Sequence, residues 1–550
     1  MRVYGDRHRR VAPRAALREL TATLRRMEAA PAGPVRHDLI VRAFIEAGGV
    51  AQGLADADFE RAGEDAGSPA QDAAMALLVT LARKLAASAW SGHQSAGPPA
   101  SAELMALALS PLPPHIEVKT PEGYAFYAVY PEAYLQTAAA DPWPGPPLVI
   151  GLRSIGTGLA ALVAAATGAG DIVSLRPTGH PFKRKVSVSP GLAARLTSHE
   201  GPFAIVDEGP GLSGSSFGAA ADLLEGIGVE RSRIVFMPSH EDGPGPQAAP
   251  EDRARWGATA RRPATFERLV DQEPLAGWFE DLTGPIGMIE ELSAGAWARH
   301  RTDAPGVNPV LERRKYRIRS DRGVWLAKFA GLGALGEAKL ARARTLARAG
   351  VVPEPLGLRR GFLLERWEVG EPGPMLERAA LIEHVGRYLG LRALAFPAEP
   401  GDGASLEELA EMARTNLAEL LGEEAAQRIP SPPPDARTRP IHIDGRLHRW
   451  EWLTTPDGRL IKTDALDHSC AHDLIGCQDI AWDLAGARVE LDLSEAETDR
   501  LGRVLAQACD QPIDGDLLAF FDLAYPAFQA GLWTLAGDRD QVARYAARLA

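Results

Sequence analysis

The stretch FAIVDEGPGLSGSSFGAAADLLEGIG, residues 203–228, decides the fold of the first half of the chain. Its apolar run Phe203–Val206 predicts a buried strand, which ends on the acid pair Asp207 and Glu208. A Gly/Ser loop then opens an Ala-rich helix, and the free N–H groups and hydroxyls at such a helix start attract an anion. The two carboxylates just upstream suit a sugar diol. The stretch therefore predicts a site for a phosphorylated sugar.

Residues 148–240 alternate apolar strands with Ala-rich helices. This alternation is typical of a mostly parallel sheet covered by helices, which binds ligands at the carboxyl ends of its strands. A second strand–loop–helix, LVIGLRSIGTGLAALVAAA, occupies residues 148–166. Its Gly156, Gly158 and Ala161 also fit a short dinucleotide-binding pattern, so NAD binding is an alternative. The acid pair downstream favours a nucleotide-sugar site.

The two loops and their order resemble those of the type I phosphoribosyltransferases, over roughly residues 115–245. The resemblance implies that phosphoribosyl diphosphate is a substrate and that its ribose lies on Asp207 and Glu208. It assigns the 5′-phosphate to Leu212, Ser213, Gly214, Ser215 and Ser216. It assigns the pyrophosphate to the upstream loop, Arg153, Ser154, Ile155, Gly156 and Thr157.

Between these loops lies the basic stretch SLRPTGHPFKRKVSV, residues 174–188. In a chain of net charge −12 such a local cluster could neutralise a diphosphate, and Arg176 and Lys185 are the preferred members. A solvated charged hairpin explains the same residues. Both interpretations stay open at the level of sequence.

The second half begins with KYRIRSDRGVWLAKFAG, residues 315–331, which predicts a β-hairpin whose second strand carries Lys328. A helix with Glu337 near its start follows, and GFLLERWEVG, residues 361–370, predicts a further strand and its exit. A strand lysine and a helix acid are among the parts that phosphoryl transfer uses for positioning and charge neutralisation.

The stretch RPIHIDGRLHRWEWLTTPDGRLIKTDALDH, residues 439–468, places Asp444 in a loop and Asp464 at a strand end. Together with the hairpin it resembles the aminoglycoside phosphotransferases and choline kinases, over roughly residues 310–550. The resemblance implies ATP and Mg²⁺ as cofactors, with Asp444 as the catalytic carboxylate and Asp464 as the metal ligand. It further implies that Lys328 holds the nucleotide phosphates, that Glu337 orients this lysine, and that Glu365 and Trp367 offer backbone groups to adenine.

One departure concerns the metal-binding Asn that this family carries about five residues after the catalytic Asp. That Asn is missing here, and His448 or Glu451 is the candidate replacement as metal ligand. Asp467, His468, Cys470, His472 and Cys477 also suggest zinc, although their spacing matches no closed zinc module.

The bulk composition predicts an ordinary folded protein of several domains. Its 60 basic and 72 acidic residues argue against nucleic-acid binding. The N-terminus has no apolar targeting segment, no long apolar run suggests a membrane span, and three cysteines are too few for a disulfide framework. A cytoplasmic location, with small-molecule substrates and neither nucleic-acid nor membrane partners, is the expectation, and the sequence leaves the oligomeric state open.

The predicted fold class is α/β: a Rossmann-like phosphoribosyltransferase sheet, a bilobal protein-kinase-like domain of α+β type, and a helical N-terminal region. The expected boundaries are 1–112 for the helical region, 113–245 for the sheet domain, 246–305 for a connecting region and 306–550 for the kinase-like domain. The two resemblances together imply a bifunctional transferase of nucleoside-like metabolite synthesis, which transfers phosphoribosyl groups from phosphoribosyl diphosphate and uses ATP to phosphorylate a small-molecule hydroxyl. The alternative is a regulatory protein that senses nucleotides without turnover.

Overall fold

Residues 13–109 form the helical region that their apolar spacing predicted. The computed structural model describes residues 8–303, 305–399, 401–434, 436–469 and 474–549, and at Val310 only the backbone. The first elements are β1 (His8–Val11), α1 (Pro13–Ala29), α2 (Pro34–Ala62), α3 (Pro69–Trp90), α4 (Ser101–Leu109) and β2 (Ile116–Lys119). Proline in the first turn of the first three helices and the Ser68 cap of α3 fix where they begin.

The apolar helix α3 is the one described helix long and apolar enough to cross a membrane by length and composition. Its buried side chains Leu77, Leu78, Leu81 and Leu85 belong to the same hydrophobic cluster as side chains of α2 and of the sheet domain. The described contacts therefore account for its apolar character as core packing.

A five-stranded parallel sheet follows, in the strand order β4-β3-β7-β8-β9. Its elements are α5 (Glu122–Phe126), α6 (Pro131–Ala140), β3 (Leu148–Leu152), α7 (Gly156–Thr167), β4 (Asp171–Leu175), β5 (Thr178–His180), β6 (Lys183–Lys185), α8 (Pro190–Thr197), β7 (Phe203–Val206), α9 (Ser215–Gly226), a 3-10 turn (Arg231–Arg233), β8 (Ile234–Met237), α10 (Pro250–Ala258) and β9 (Ala260–Arg261). The strands β5 and β6 form a separate hairpin. Helices cover both faces of the parallel sheet, as the alternation of apolar segments predicted.

The region expected to connect two domains belongs to both of them. Its elements after β9 are α11 (Phe266–Gln272), α12 (Leu275–Thr283), β10 (Ile286–Glu291) and a 3-10 turn (Ala296–His300). The strand β9 is the fifth strand of the parallel sheet, and β10 pairs with the next sheet. The predicted boundaries at 245 and 305 are therefore wrong, because short strands at the domain edges carry too little apolar pattern to be seen in sequence.

The next sheet is antiparallel, in the order β10-β11-β12-β14-β13, and forms a small lobe with one helix. Its remaining elements are a 3-10 turn (Pro309–Leu311), β11 (Lys315–Ser320), β12 (Gly323–Phe329), α13 (Ala334–Arg348), β13 (Pro355–Arg359) and β14 (Phe362–Arg366). The predicted hairpin is present, with Lys315 opposite Lys328.

A mainly helical large lobe completes the chain. Its elements are β15 (Glu371–Pro372), α14 (Arg378–Ala395), α15 (Leu406–Leu421), α16 (Glu423–Ala426), a 3-10 turn (Arg449–Glu451), β16 (Trp452–Thr454), β17 (Leu460–Lys462), α17 (Ala481–Glu490), α18 (Glu495–Cys509), α19 (Gly515–Ala536) and α20 (Arg539–Leu549). It has its own hydrophobic core. By contrast, one continuous core joins the helical region, one face of the parallel sheet and the small lobe.

Candidate functional sites

The first candidate site lies where the parallel sheet reverses its strand order. From β3 the chain adds β4 on one side and then crosses over to add β7 on the other side. The loops after β3 and β7 therefore diverge at the carboxyl edge, which is where open α/β sheets bind ligands. An added Cβ at Gly156 would lie 2.6 Å from the Val206 carbonyl oxygen and 3.2 Å from Asp207 Oδ1. The two predicted binding loops are thus in direct contact.

The acid pair lies at this edge, as predicted. Both Asp207 and Glu208 are partly buried, and the Tyr134 hydroxyl donates to the Asp207 carbonyl oxygen over 2.8 Å. Burial raises the pKa of Asp207 to about 7, although backbone hydrogen bonding and Arg184 oppose the rise. A buried acid whose pKa is raised to near neutrality is a common feature of ligand-binding sites.

The Gly/Ser loop enters α9 as the sequence indicated. Gly214, the N-cap residue, has a left-handed φ of 72° and no side chain, and the Ser213 hydroxyl accepts the N–H of Ser215 over 3.2 Å. The hydroxyls of Ser213 and Ser215 donate to the Pro181 carbonyl oxygen over 2.7 and 2.6 Å. Leu212 is 69% exposed. The hairpin tip that carries Pro181 therefore lies directly over the predicted phosphate cradle.

The loop after β3 differs in part from its predicted role. Ser154, Gly156 and Thr157 lie at the start of α7, and the buried Thr157 Oγ1 has no hydrogen-bond partner among the described residues. Arg153, in contrast, is only 1% exposed at its side chain and pairs with Asp56 at 3.0 Å and with Asp65. The prediction that Arg153 faces a diphosphate is wrong, because these carboxylates of the helical region hold it inside the protein.

The predicted cations of the basic stretch need a similar correction. Arg176 pairs with Asp56 at 2.5 Å, and its N–H donates to Asp65 over 2.7 Å. Lys185 is exposed on the hairpin, whereas Arg184 is half-buried and lowers the pKa of Asp207. The cation that faces the acid pair is therefore Arg184. The alternation of sides along β6 was the sequence signal that separated Arg184 from its two neighbours.

The second candidate site is a cleft of about 460 Å³ between the two lobes of the second half. Its upper wall comes from β11 and β12, its edge from residues 366–372 and its floor from the large lobe. Many polar residues line it, among them Glu312, Lys315, Arg317, Lys328, Glu365, Arg446, Glu451, Thr463 and Asp464. Cations and carboxylates from both lobes thus converge on one cavity.

Lys328 and Asp464 meet in this cleft, as the resemblance implied. Lys328 Nζ lies 2.6 Å from Asp464 Oδ1 and 2.5 Å from Asp467 Oδ2. Burial alone would raise the pKa of Asp464, but Lys328 outweighs it and holds that pKa well below its usual range. Asp464 is therefore ionised at neutral pH, as a metal ligand must be.

Glu337 does not orient Lys328, so this prediction is wrong. Its carboxylate pairs with Arg42 of α2 at 2.6 Å, on the outer side of α13. The inward position belongs to Lys339, which lies 2.5 Å from Asp467 Oδ1. Glu337 and Lys339 are two residues apart, so they point to different sides of α13. Sequence spacing alone did not determine which of the two sides faces Lys328.

Asp444 lies beneath the cleft and does not line it. Its side chain is 0% exposed, accepts the Tyr388 hydroxyl, and lies 3.5 Å from Lys462 Nζ and 3.9 Å from Arg392. The Asp483 carboxylate accepts the N–H groups of Asp444 and Gly445, both over 2.8 Å. The geometry contradicts a role for Asp444 as a base that touches an acceptor, because buried cations and a tyrosine already occupy its oxygens.

His448 is likewise excluded as the predicted metal ligand. It is buried against α20, with its Nε2 2.9 Å from the Tyr545 hydroxyl, and it does not line the cleft. Burial and nearby cations hold its pKa well below the usual histidine value.

Two residues that sequence reasoning did not assign, Arg446 and Lys462, surround the other predicted replacement, Glu451. Arg446 Nε lies 3.2 Å from Glu451 Oε1, and Lys462 Nζ lies 3.7 Å from Glu451 Oε2. Burial raises the pKa of Glu451, although Lys462 and Arg446 counteract the rise. Glu451 and Asp464 are thus two carboxylates of the large lobe that line the cleft.

The strand exit that was predicted to bind adenine is present, but one of its backbone groups already has a hydrogen-bond partner. The N–H of Trp367 donates to the Val324 carbonyl oxygen over 3.0 Å, so this group is not available to a base. The Arg317 guanidinium lies 5.3 Å from the centre of the Trp367 ring. Glu365 lines the cleft with its side chain, and its backbone pairs within the sheet.

No group of three possible metal ligands occurs among the described residues. Of the suggested zinc set, Cys470 and His472 lie outside those residues, Asp467 is paired with two lysines, and Cys477 is buried 3.4 Å from His442. Mg²⁺ needs fewer protein ligands, because it is commonly held by one or two carboxylates together with substrate phosphates. Asp464 and Glu451 fit that requirement.

No family model matches the chain. No curated protein sequence matches it either. Among solved structures, the chain is similar to choline kinase LicA from Streptococcus pneumoniae, at 14% identity and a TM-score of 0.33, over 52% of this chain and 98% of that one. It is similar to a macrolide 2′-phosphotransferase type I at 15% identity and a TM-score of 0.32, over 51% of this chain and 97% of that one. A choline/ethanolamine kinase family protein from Mesorhizobium loti aligns at 16% identity and a TM-score of 0.31, over 52% of this chain and 92% of that one.

Proposed function

We propose that the interlobe cleft binds Mg²⁺-ATP and transfers its terminal phosphoryl group to a hydroxyl group of a small molecule. The observation that carries the proposal is the 2.6 Å contact between Lys328 of the small lobe and Asp464 of the large lobe, inside a cleft of about 460 Å³. Phosphoryl transfer needs positioning and charge neutralisation more than covalent chemistry. A buried cation and an ionised carboxylate on opposite walls supply both.

The acidic and the basic residues of the cleft have different proposed roles. Asp464 and Glu451 would hold Mg²⁺, which neutralises phosphate charge when it is bound. Lys328 binds a phosphate oxygen, and Arg446 lies beside Glu451 where it can face the transferred group. The acceptor hydroxyl would approach on the large-lobe side of the cleft, where Arg446 and Glu451 are among the lining residues.

The test measures Mg²⁺-ATP affinity by calorimetry and ADP release with pools of hydroxylated metabolites. Asp464→Asn should weaken Mg²⁺-ATP binding by about tenfold or more and remove its dependence on Mg²⁺. The control is Asp321→Asn, at the exposed turn of the β11–β12 hairpin that carries Lys328. Its affinity for Mg²⁺-ATP should match that of the parent. If the parent binds no ATP, the kinase proposal is wrong.

A nucleotide sensor is the second candidate function, and the burial of Asp444 favours it. The residue expected to activate the acceptor does not reach the cleft, whereas the phosphate-binding residues do. A sensor would bind Mg²⁺-ATP with Lys328 and Asp464 yet release no ADP with any acceptor. Single-turnover assays with the parent protein separate the two functions.

For the first half, we propose binding and turnover of phosphoribosyl diphosphate at the crevice between β3 and β7. Three features support this: the reversal of strand order at this edge, the acid pair, and the Gly/Ser loop that leads into α9. Asp207 and Glu208 bind the ribose hydroxyls, and the loop 212–216 binds the 5′-phosphate through its N–H groups. The acceptor base stays open.

Calorimetry with Mg²⁺-phosphoribosyl diphosphate tests the first half. The double variant Asp207→Asn with Glu208→Gln should lose about a hundredfold or more in affinity, because charge-assisted hydrogen bonds to the diol disappear. Asp222→Asn, on the far part of α9, is the control. Unchanged affinity of the double variant would contradict the assignment of this crevice to phosphoribosyl diphosphate.

A further inference from the structure

One carboxyl group in the interlobe cleft has no hydrogen-bond or ion-pair partner in the part of the chain that the structure describes. Glu365, near the end of β14, is 7% exposed and lines the cleft. Among the described residues, its carboxyl group makes no hydrogen bond and no ion pair. Leaving a buried carboxyl without a partner costs free energy, so such a group points to a ligand that supplies the missing hydrogen bonds.

The position of Glu365 indicates which part of a nucleotide it meets. Glu365 lies directly opposite Leu326 across the β12–β14 pair, and the chain beyond it forms the cleft edge at residues 366–372. Leu326 above and Leu453 below give this end of the cleft apolar walls, which suit a flat base. The carboxylates assigned to the metal, Asp464 and Glu451, belong to the large lobe, whereas Glu365 lies on the small-lobe strand that leads to the cleft edge.

We propose, on the basis of the ATP-binding function above, that Glu365 recognises the base of the nucleotide and in its neutral form selects adenine. A neutral carboxyl group has one O–H donor and one carbonyl acceptor. Adenine presents the complementary pair on one edge, an N1 acceptor and an N6 amino donor. Guanine presents two N–H donors on the corresponding edge, which an ionised carboxylate would bind instead.

The surroundings of Glu365 favour the neutral form. Burial raises its pKa to about 8, Lys328 opposes the rise, and Asp464 and Asp467 add to it. The ammonium group of Lys328 is already shared by those two aspartates, so it is only a partial counter-charge for Glu365. The other charged groups that line the inner part of the cleft with Glu365 are Lys339 and Lys462.

The experiment measures the affinity of the full-length protein for Mg²⁺-ATP, Mg²⁺-GTP and the Mg²⁺ complex of purine riboside triphosphate, which lacks the N6 amino group. At pH 7 the parent should bind ATP about tenfold or more tightly than either analogue, because a lost pair of base contacts costs about 1–3 kcal/mol. Glu365→Gln keeps one donor and one acceptor, so its ATP affinity should stay within about threefold of the parent. Glu365→Leu should lose about tenfold in ATP affinity and no longer distinguish ATP from purine riboside triphosphate.

Two controls separate the possible failures. Glu354→Leu replaces an exposed carboxylate on the same lobe and should leave all affinities unchanged. Thermal unfolding should show Glu365→Leu to be at least as stable as the parent, because the variant removes an unpaired buried carboxyl. If ATP binds the parent and Glu365→Leu equally well, the role of Glu365 is wrong while the kinase proposal stands. A preference for GTP overturns the neutral, adenine-selecting form, and failure of every nucleotide to bind overturns both proposals.

Discussion

At the scale of single residues, the acid at the end of β7 links function to stability. Asp207 has a pKa of about 7 in the folded protein against 3.8 for the free side chain, because burial disfavours its charge. The folded state therefore holds a proton that the unfolded chain loses between these values. The free energy of unfolding should fall as pH rises from about 4 to 7, the sign expected for an acid whose pKa is raised by folding.

Asp207→Asn should remove this fall in the free energy of unfolding, because the Asn side chain is uncharged like the protonated acid. We expect the variant to be more stable than the parent by about 2 kcal/mol at pH 8 and nearly equal to it at pH 4, because partial exposure screens the full effect. Urea unfolding at both pH values measures the difference. Asp141→Asn, at an exposed position, is the control and should show no pH-dependent gain. Equal stability of Asp207→Asn and the parent at pH 8 would contradict the raised pKa.

Asp444 gives the opposite case, a carboxylate whose role is structural. Its oxygens accept the Tyr388 hydroxyl and balance Lys462 and Arg392 in a fully buried cluster. Asp444→Asn removes the charge and should lower the free energy of unfolding by about 3 kcal/mol, as for other broken buried pairs. Its ADP release per folded molecule should stay within about threefold of the parent. A fully folded variant that releases ADP a hundredfold more slowly would restore Asp444 as the catalytic base.

At the scale of elements, the hairpin β5–β6 shows what the sequence could and could not predict. The turn residues and alternating basic side chains predicted a charged hairpin, and the structure contains it. That its tip would lie on the loop before α9 depends on contacts between segments about thirty residues apart, which local pattern does not encode. The same limit applies to α13. The spacing of its apolar residues predicted a helix, but tertiary packing determines that Lys339, and not Glu337, faces the cleft.

The hairpin tip should be released when its two hydrogen bonds are removed. Ser213→Ala with Ser215→Ala eliminates both donors to the Pro181 carbonyl. At roughly 1 kcal/mol for each of the two bonds, the open form should become about thirtyfold more populated. Limited trypsin digestion at Lys183 to Lys185 should then proceed about thirtyfold faster. Ser232→Ala, on a different surface loop, is the control, and unchanged cleavage of the double variant would show that the hairpin is held by other contacts.

At the scale of the whole molecule, one hydrophobic core joins one face of the parallel sheet, which carries the first candidate site, to the small lobe of the second site. Side chains of α2, α3, α7, α11, α12 and the small-lobe sheet pack in a single cluster. Each half carries its own motifs, so the sequence predicted separate domains. Local motifs do not encode long-range packing, so the contacts between the two halves could not be predicted. The centre of the shared interface is polar: Arg360, after β13, lies 3.1 Å from Glu132 of α6 and 2.5 Å from Glu273 near α11. His37 of α2 lies 2.6 Å from the same Glu132.

This cluster should make the stability of the whole chain depend on acid pH. Burial opposes ionisation of Glu132, but Arg360 and His37 outweigh it and lower its pKa to about 2. A lowered pKa stabilises the fold above the unfolded value of 4.5, and this contribution is lost as pH falls from about 4.5 towards 2. Glu132→Gln should therefore flatten the fall in the free energy of unfolding between pH 5 and pH 3.

Arg360→Met tests whether the cluster joins the two halves. It leaves Glu132 buried beside His37 without its main cation, so the free energy of unfolding at pH 7 should fall by about 3–5 kcal/mol. Because the core is continuous, calorimetry should show one lower transition that includes both halves. Arg359→Met, which removes an exposed pair with Asp281, is the matched control and should cost about 0–1 kcal/mol. If Arg360→Met instead splits unfolding into two transitions with the large lobe and the parallel sheet unchanged, the two sites are energetically independent. A single shifted transition would mean that ligand binding at either site stabilises both.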